Sequence, residues 1–353
     1  MIILGIESSC DETAVGIVRD GCELLGSTVA SSMNLHAKYG GVIPEIAARS
    51  HIEAIIPVIE QALSDAGCTW DDIDGIAVTY GAGLLGSLLI GVLTARTLAI
   101  IKEKPLYAVN HVEAHLYANF ITKSALSSIQ PRSQQPEFPM LGIIVSGGHS
   151  QLVLFKDHFN YELLGQTQDD AIGEAYDKVA KILGLAYPGG YKVSLLAEKG
   201  DPATFRLPKA RMTQKYDFSF SGLKTAVLRQ AQNMVGKDYS LPSHMLPDML
   251  NDIQKADIAA CFAKTACETI VDKALMAYEE FRPKSVIIGG GVAADKELRR
   301  QLADRLPCAI EYPDLKLCTD NGVMIATLGC FKALRAATPA DPYTLKVAPS
   351  LSM

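Results

Sequence analysis

The sequence predicts a duplicated α/β fold: two lobes built on one plan around a central cleft. Three observations carry this expectation. One order of elements (strand, turn, strand, strand, helix, strand, glycine turn, helix, strand, helix) runs from Ile2 and restarts at Leu141, a repeat of about 150 residues. Each run has a glycine-rich turn leading from a strand into a helix, at Gly81–Ser87 and at Gly289–Asp295. Between the runs, from about Thr122 to Pro139, the chain turns to Ser, Gln and Pro and reads as a linker-like loop.

In the first half, short apolar runs at Ile2–Ile6, Ala14–Val18 and Leu24–Ala30 read as strands, separated by the polar turn Glu7–Thr13 and by Asp20-Gly21. Apolar spacing at Ile52, Ile55, Ile56 and Ile59 marks a helix from about Ile46 to Ala66. Gly75–Thr79 and Pro105–Val109 read as strands, with an apolar helix between them and a histidine-bearing helix after. The second half repeats the scheme. Strands are expected at Leu141–Val145, Gln151–Phe155, Tyr161–Gln166, Lys284–Ile288 and Ala309–Tyr312. Helices are expected near Ala171–Leu183, from about Ile253 to Phe281, through Leu298 and Leu302, and at Val323–Leu334. The expected domains are residues 1–121, completed by a helix at about 320–336; the loop 122–139; a second lobe, 140–319; and a loop or frayed tail, 337–353.

Composition narrows the function classes. The 353 residues are 48% hydrophobic and carry a net charge of −6, enough apolar material for a sizeable core and no global field for holding RNA. Eight scattered cysteines without a C-x-x-C point to reduced thiols in a cytoplasmic enzyme. No basic n-region opens the chain, so no secretory signal is expected. The longest apolar stretch, Leu84–Ile101, is interrupted by Ser87, Thr94, Arg96 and Thr97 and reads as a buried helix rather than a membrane span.

The stretch Asn110-His111-Val112-Glu113-Ala114-His115 places two imidazoles one helical turn apart, on one face. Glu113 sits about 200° round from His111. It faces away from any ion the histidines would hold, unlike the glutamate of a zinc-protease helix. In the duplicated plan the start of this helix corresponds to the start of the last one, at Asp320. If both halves face a shared cleft, His111, His115 and Asp320 converge there. Two histidines and one carboxylate form the facial set of non-haem Fe(II) and also suit Zn²⁺. Asp320 fits a helix N-cap as well.

Three glycine turns could hold an anion. Ser146-Gly147-Gly148-His149 joins two strands; its bare N–H groups suit a phosphate, or its glycines suit a hairpin needing positive φ. Gly289-Gly290-Gly291 precedes a helix, and Pro188-Gly189-Gly190 is the third. Asp177 and Asp295 stand near these turns, where carboxylates commonly hold ribose hydroxyls; each also reads as an ordinary helix acid.

The paired turns and duplicated plan resemble the actin–Hsp70–sugar kinase (ASKHA) superfamily. Within it, the motifs His111–His115, Val145-Ser146-Gly147-Gly148-His149, Asp217–Thr225 and Cys318-Thr319-Asp320-Asn321-Gly322, with Glu7–Thr13 and Gly40–Glu45, resemble TsaD. That is the bacterial branch of the universal tRNA N6-adenosine threonylcarbamoyltransferase family, once described as an O-sialoglycoprotein endopeptidase. The likeness runs from Ile3 to about Leu334.

The resemblance implies transfer of threonylcarbamoyl from L-threonylcarbamoyl-adenylate to N6 of the adenosine 3′ of the anticodon in tRNAs reading ANN codons, with release of AMP. It implies one divalent metal per subunit on His111, His115 and Asp320, with Fe²⁺ expected and Zn²⁺ the alternative. Ile144, Val145, Ser146, Gly147 and Gly148 would lie against the phosphate and acyl part, and Asp177 and Gly190 would hold the nucleoside. Asp295 stands where relatives often have Asn; an acid keeps the acceptor and loses the amide donor. Ala82 and Tyr191 stand where Pro is common, and the loop Ser124–Pro136 is longer than usual. Implied partners are tRNA, a TsaB-like paralogue and a TsaE-like small ATPase, in the cytoplasm and without a membrane. His149 and Glu12 are candidates for proton transfer, and Lys209, Arg211, Lys215 and Lys224 form a basic stretch for tRNA phosphates or an ordinary charged face. Two other classes stand beside this one: a metal-dependent endopeptidase, and a non-enzymatic ATP-binding switch that would need no metal.

Overall fold

Runs of β-branched and aliphatic residues bounded by turn formers make the strands, and the helices follow the 3.6-residue apolar spacing. The computed structural model describes all 353 residues and divides into two units. Unit 1 comprises Met1–Pro136 and Glu311–Met353, and unit 2 comprises Glu137–Ile310.

Unit 1 opens with β1 (Ile2–Glu7), β2 (Glu12–Arg19) and β3 (Glu23–Ser31), then α1 (Met33–Ala37) and the long α2 (Pro44–Ala66). β4 (Gly75–Gly81), α3 (Leu85–Ile101), β5 (Leu106–Asn110), α4 (His111–Tyr117) and β6 (Lys123–Ser124) complete its first part. Its sheet runs β5-β4-β1-β2-β3-β6. β1–β2–β3 form an antiparallel meander, and β4 joins β1 in parallel. On one face Leu4, Ile6, Val15 and Ile17 pack against Ile55 and Ile59 of α2 and Val92 and Ala95 of α3.

Unit 2 restarts the pattern with β7 (Met140–Val145), β8 (Ser150–Asp157) and β9 (Asn160–Gln166). Then come α5 (Ile172–Leu183), α6 (Gly190–Ala197), α7 (Ser221–Met234), α8 (Leu246–Met249), the 30-residue α9 (Asp252–Phe281), β10 (Ser285–Gly289) and α10 (Lys296–Arg305). Its sheet, β10-β7-β8-β9, again sets a parallel strand beside an antiparallel meander.

The structure departs from the expectations at two places and adds detail at two more. Ala309–Tyr312 forms no strand, and the chain leaves unit 2 at that point. α6 and α7 were not expected, because glycines and serines open both. The first turn of α7 is instead held from outside: Asp169 accepts from the backbone N–H groups of Phe220 (2.8 Å) and Ser221 and from the hydroxyls of Ser219 and Ser221 (both 2.6 Å). The stretch 122–139 is loop apart from β6, and the chain passes from unit 1 to unit 2 within it, but its first part is tied to unit 1. β6 pairs with β3, and the buried Arg132 guanidinium bonds the Asn119 carbonyl (3.2 Å) and Glu311 (3.4 Å). Of the two alternatives for the tail, it is a loop, and it is held in place: Ala340 N donates to Leu106 O and Ala348 N to Tyr80 O, both at 2.7 Å.

The last helix, α11 (Gly322–Leu334), belongs to unit 1 and lies on the face of β1 and β2. Glycines make that approach possible. A Cβ at Gly5 would lie 2.6 Å from the Gly322 carbonyl, and one at Gly16 2.6 Å from Val323 Cα. Backbone stands opposite at both places, so no side chain can swing aside. Gly16→Ala is expected to destabilise the folded chain by about 1–3 kcal/mol or more, as overpacking does. A denaturation midpoint equal to that of the wild type would contradict this packing.

Candidate metal centre and nucleotide-binding turns

The metal candidates are built on unit 1. Asn110 ends β5 and caps α4, its Oδ1 accepting from the N–H groups of Val112 (2.8 Å) and Glu113 (3.3 Å). The cap starts the helix at His111, and one turn later comes His115, its ring centroid 4.7 Å from that of His111. Asp320 enters from the turn before α11. Asn321, not Asp320, caps that helix, accepting from Met324 N at 2.9 Å. The cap reading of Asp320 is thereby excluded, and its carboxylate turns to the imidazoles: Oδ1 lies 3.6 Å from His111 Nε2 and 3.4 Å from His115 Nε2. The donor atoms of all three residues lie within 4.8 Å of one another.

All three belong to unit 1. The convergence expected from two symmetric halves arises instead within one unit, because the last helix crosses back to the first sheet. Glu113 is buried, near Lys332, and burial raises its pKa to about 7.

Sequence reasoning missed the role of Glu7. This carboxylate, fully buried at the end of β1, accepts from Thr79 Oγ1 (2.6 Å), from Ser9 N and from His111 Nδ1 (3.0 Å). Burial alone would raise its pKa, but His111 and these hydrogen bonds hold it below the usual carboxylate range. Burial likewise opposes a charge on His111, and Glu7 and Asp320 overcome it and push the imidazole upward. A carboxylate on Nδ1 orients the ring and leaves Nε2 facing the other donors, as carboxylates bonded to the far nitrogen of metal-binding histidines do. The signal was present in the sequence: an acid ending an apolar strand, where a buried charge needs a partner.

The remaining acids crowd the same place. Burial raises the pKa of Asp320, as do Glu7 and Asp11, while His111 lowers it. Burial, then Asp320 and Asp11, raise Glu12, which accepts from Ser31 Oγ at 3.0 Å. Two imidazoles and a carboxylate amid excess buried negative charge fit a divalent cation.

Unit 2 carries the nucleotide candidates. Ile144 and Val145 are buried at the end of β7. The turn that follows is closed by Ser146 N to His149 O (2.8 Å) and His149 N to Ser146 Oγ (3.1 Å). Neither Gly147 nor Gly148 has positive φ, and a Cβ at either would meet nothing within 4 Å. The hairpin therefore does not require glycine for positive φ, and the space beside both residues is open. Gly290, at φ +96°, packs against the Val145 carbonyl, so the second glycine turn meets the first.

Asp177 Oδ1 accepts from Gly189 N (2.8 Å) and Gly190 N (3.0 Å), which ties the third turn to α5. Asp295 caps α10 through Leu298 N (2.9 Å) and also accepts from Tyr176 Oη (3.3 Å) and Ser194 Oγ. Both its oxygens are thus engaged. A cavity of about 250 Å³ opens beside it, lined by Ser194, Glu198, Ala260, Lys296 and Arg300 among others. The basic stretch is partly neutralised: Lys209 pairs with Asp272 (2.6 Å) and Lys215 with Glu280.

Solved structures share this architecture. T. kodakarensis HypF superposes with a TM-score of 0.60 at 15% identity over 95% of this chain and 48% of that one. Component A of the Acidaminococcus fermentans (R)-2-hydroxyglutaryl-CoA dehydratase gives 0.50 at 17% over 95% and 99%. The class is therefore that of the actin–Hsp70–sugar kinase fold, with a group able to hold a metal ion. Sequence comparison goes further. The family model TsaD: tRNA N6-adenosine threonylcarbamoyltransferase matches residues 23–327. Proteins of that name from Thermomicrobium roseum and Symbiobacterium thermophilum are 46% and 47% identical, over 95% and 94% of this chain and 93% and 91% of theirs. The chain belongs to the tRNA N6-adenosine threonylcarbamoyltransferase family and is a transferase whose substrate is tRNA.

Glu7→Gln keeps the shape and an acceptor but removes the charge that orients His111. Affinity for Zn²⁺ or Fe²⁺ is expected to fall by about 10–100-fold, measured by competition with a chromophoric chelator. Unchanged affinity would show that Glu7 does not support the centre.

Proposed function

We propose that the donor is L-threonylcarbamoyl-adenylate and the acceptor N6 of the adenosine 3′ of the anticodon in tRNAs reading ANN codons. A C–N bond forms between the carbamoyl carbon and N6. The bond from that carbon to the phosphate oxygen breaks, AMP leaves and N6 loses a proton. What carries this reading, in a chain of this family, is the His111, His115 and Asp320 group, oriented by a buried Glu7.

His111, His115 and Asp320 hold one divalent ion, Fe²⁺ first and Zn²⁺ as the alternative. Bound there, the ion would supply Lewis-acid charge. In unit 2 the N–H groups of Ser146–Gly148, which no side chain shields at the glycines, bind the adenylate phosphate, with Ile144 and Val145 beneath them. Asp177 fixes the loop through Gly190 against which the nucleoside lies, and Asp295 borders the cavity on that side. An aromatic amine is a weak nucleophile, so positioning and charge stabilisation supply most of the rate. Glu12, its pKa raised by burial and then by Asp320 and Asp11, suits giving a proton, and His149 on the glycine turn is the candidate for accepting one.

A net charge of −6 and neutralised Lys209 and Lys215 agree with help in holding tRNA. A TsaB-like paralogue is the proposed partner. α2 and α3, which pack on each other where Gly86 meets Ala48, leave Ile52, Ile56, Leu89 and Leu93 exposed on unit 1. A TsaE-like ATPase is the second partner, and the setting is cytoplasmic. No helix is long and apolar enough to cross a membrane.

Purified adenylate and unmodified tRNA are expected to yield modified tRNA and AMP in equal amounts, with metal found in the same sample. His115→Ala should lower the rate at least about 100-fold, the scale of losing a group that stabilises developing charge. Site-specific cleavage of a denatured protein, lost in that variant, would favour the endopeptidase instead. Protein isolated with no bound metal that still releases no AMP from the adenylate and tRNA when Fe²⁺ or Zn²⁺ is supplied would favour the ATP-binding switch. Asp177→Ala is expected to raise KM for the adenylate more than it lowers kcat, as loss of ground-state binding does. An unchanged KM would remove Asp177 from the nucleoside site.

A further inference from the structure

The segment 341–353 contains no helix or strand, yet it is tied down along its whole length. The Arg96 guanidinium of α3 donates to the carbonyls of Pro342, Tyr343 (2.7 Å) and Leu345 (3.4 Å). Ala348 N donates to Tyr80 O at 2.7 Å, and Gly83 N donates to Pro349 O at 3.1 Å. A side chain at Gly81 would collide with the Ala348 carbonyl. The segment ends over α4, where Ser352 O accepts from Asn110 Nδ2 at 3.0 Å.

That last bond falls on a side chain with a second task. Asn110 Oδ1 caps α4 by accepting from Val112 N and Glu113 N. An amide has distinct donor and acceptor ends, and the cap works only with the oxygen toward the helix. A carbonyl on the other side fixes that orientation, and Ser352 O supplies it. A helix of seven residues has little stability of its own, so its geometry is set from outside.

We propose that residues 341–353 form a strap that sets the start of α4 through Asn110. Asn110 is then a positioning residue for His111, the next in the chain. The proposal rests on the metal reading of His111, His115 and Asp320 given above.

The test uses the full chain, freed of metal, and three variants. Asn110→Ser keeps a capping oxygen but cannot reach Ser352. Asn110→Ala loses the cap too. Arg96→Met releases the strap from a site remote from the imidazoles. Zn²⁺ affinity is read by chelator competition, and amide exchange is followed over residues 112–116. Asn110→Ser and Arg96→Met should each weaken Zn²⁺ by about tenfold, the effect of disturbing an outer-shell partner, and speed exchange in α4. The double variant should be no weaker than the worse single one, because both cut one path. Asn110→Ala should be weaker than Asn110→Ser.

A lowered melting temperature with unchanged Zn²⁺ affinity in folded Arg96→Met would overturn the strap and leave it mere packing. If the Asn110 variants fail to fold, Arg96→Met alone decides. A wild-type chain that binds no divalent ion would overturn the metal reading and the strap together. Wild-type binding with unaffected variants sinks the strap only.

Discussion

Everything at the metal centre depends on how closely α11 can approach β1 and β2. Gly5 and Gly16 on the strands face Gly322 and Val323 on the helix, backbone against backbone. A methyl on any of these glycines would lie 2.2–2.7 Å from facing backbone, so helix and strands would have to move apart. Asp320 is only two residues before Gly322, so its carboxylate inherits the position of that contact. The imidazoles reach the same place by another route, β5 running through the Asn110 cap into α4. Three ligands thus come from two segments about two hundred residues apart, and the sheet of unit 1 is the frame common to both.

The charges explain why this position suits a cation and not merely a hydrogen-bonded cluster. Burial disfavours charge on Glu7, Glu12 and Asp320, and of these three Glu7 overcomes it, with His111 and three hydrogen bonds in its favour. Asp320 and Glu12 go the other way and take up protons more readily than usual. A buried ion left without its counter-charge costs several kcal/mol, far more than a surface pair returns. Such a cluster is relieved either by protons or by a positive ion, and a divalent ion on Nε2 and Oδ1 relieves it without protonating the imidazoles.

How much of this was legible depended on range. The strands of both meanders, α2, α9 and α11 were readable because their periodicity is local. The histidine pair was readable because its geometry is fixed by one turn of helix. What escaped depended on partners far away in sequence. α7 begins on serines that only Asp169 makes into a helix start. The stretch after Thr122 looks like a linker until Arg132 finds Asn119 and Glu311. Glu7 looks like a turn residue until His111 lies beside it. The repeat shows which positions correspond, and the expected division already set the helix at about 320–336 with the first lobe, the unit that holds it in the structure.

Asp295 shows how the same logic separates a structural acid from a recognising one in unit 2. As an N-cap, Asp and Asn are nearly equivalent, so the bond from Leu298 N does not distinguish them. Oδ2 does: it receives Tyr176 and Ser194 hydroxyls, both as donors. An amide nitrogen there would force those hydroxyls to turn and accept, while a carboxylate uses them as they stand. The acid is thus well satisfied from within the protein, and it can serve a bound nucleoside only by accepting one more hydrogen bond. A ligand group approaching Asp295 must therefore be a donor, such as a ribose hydroxyl or an amino group. A bare ring nitrogen would meet a like lone pair and be rejected.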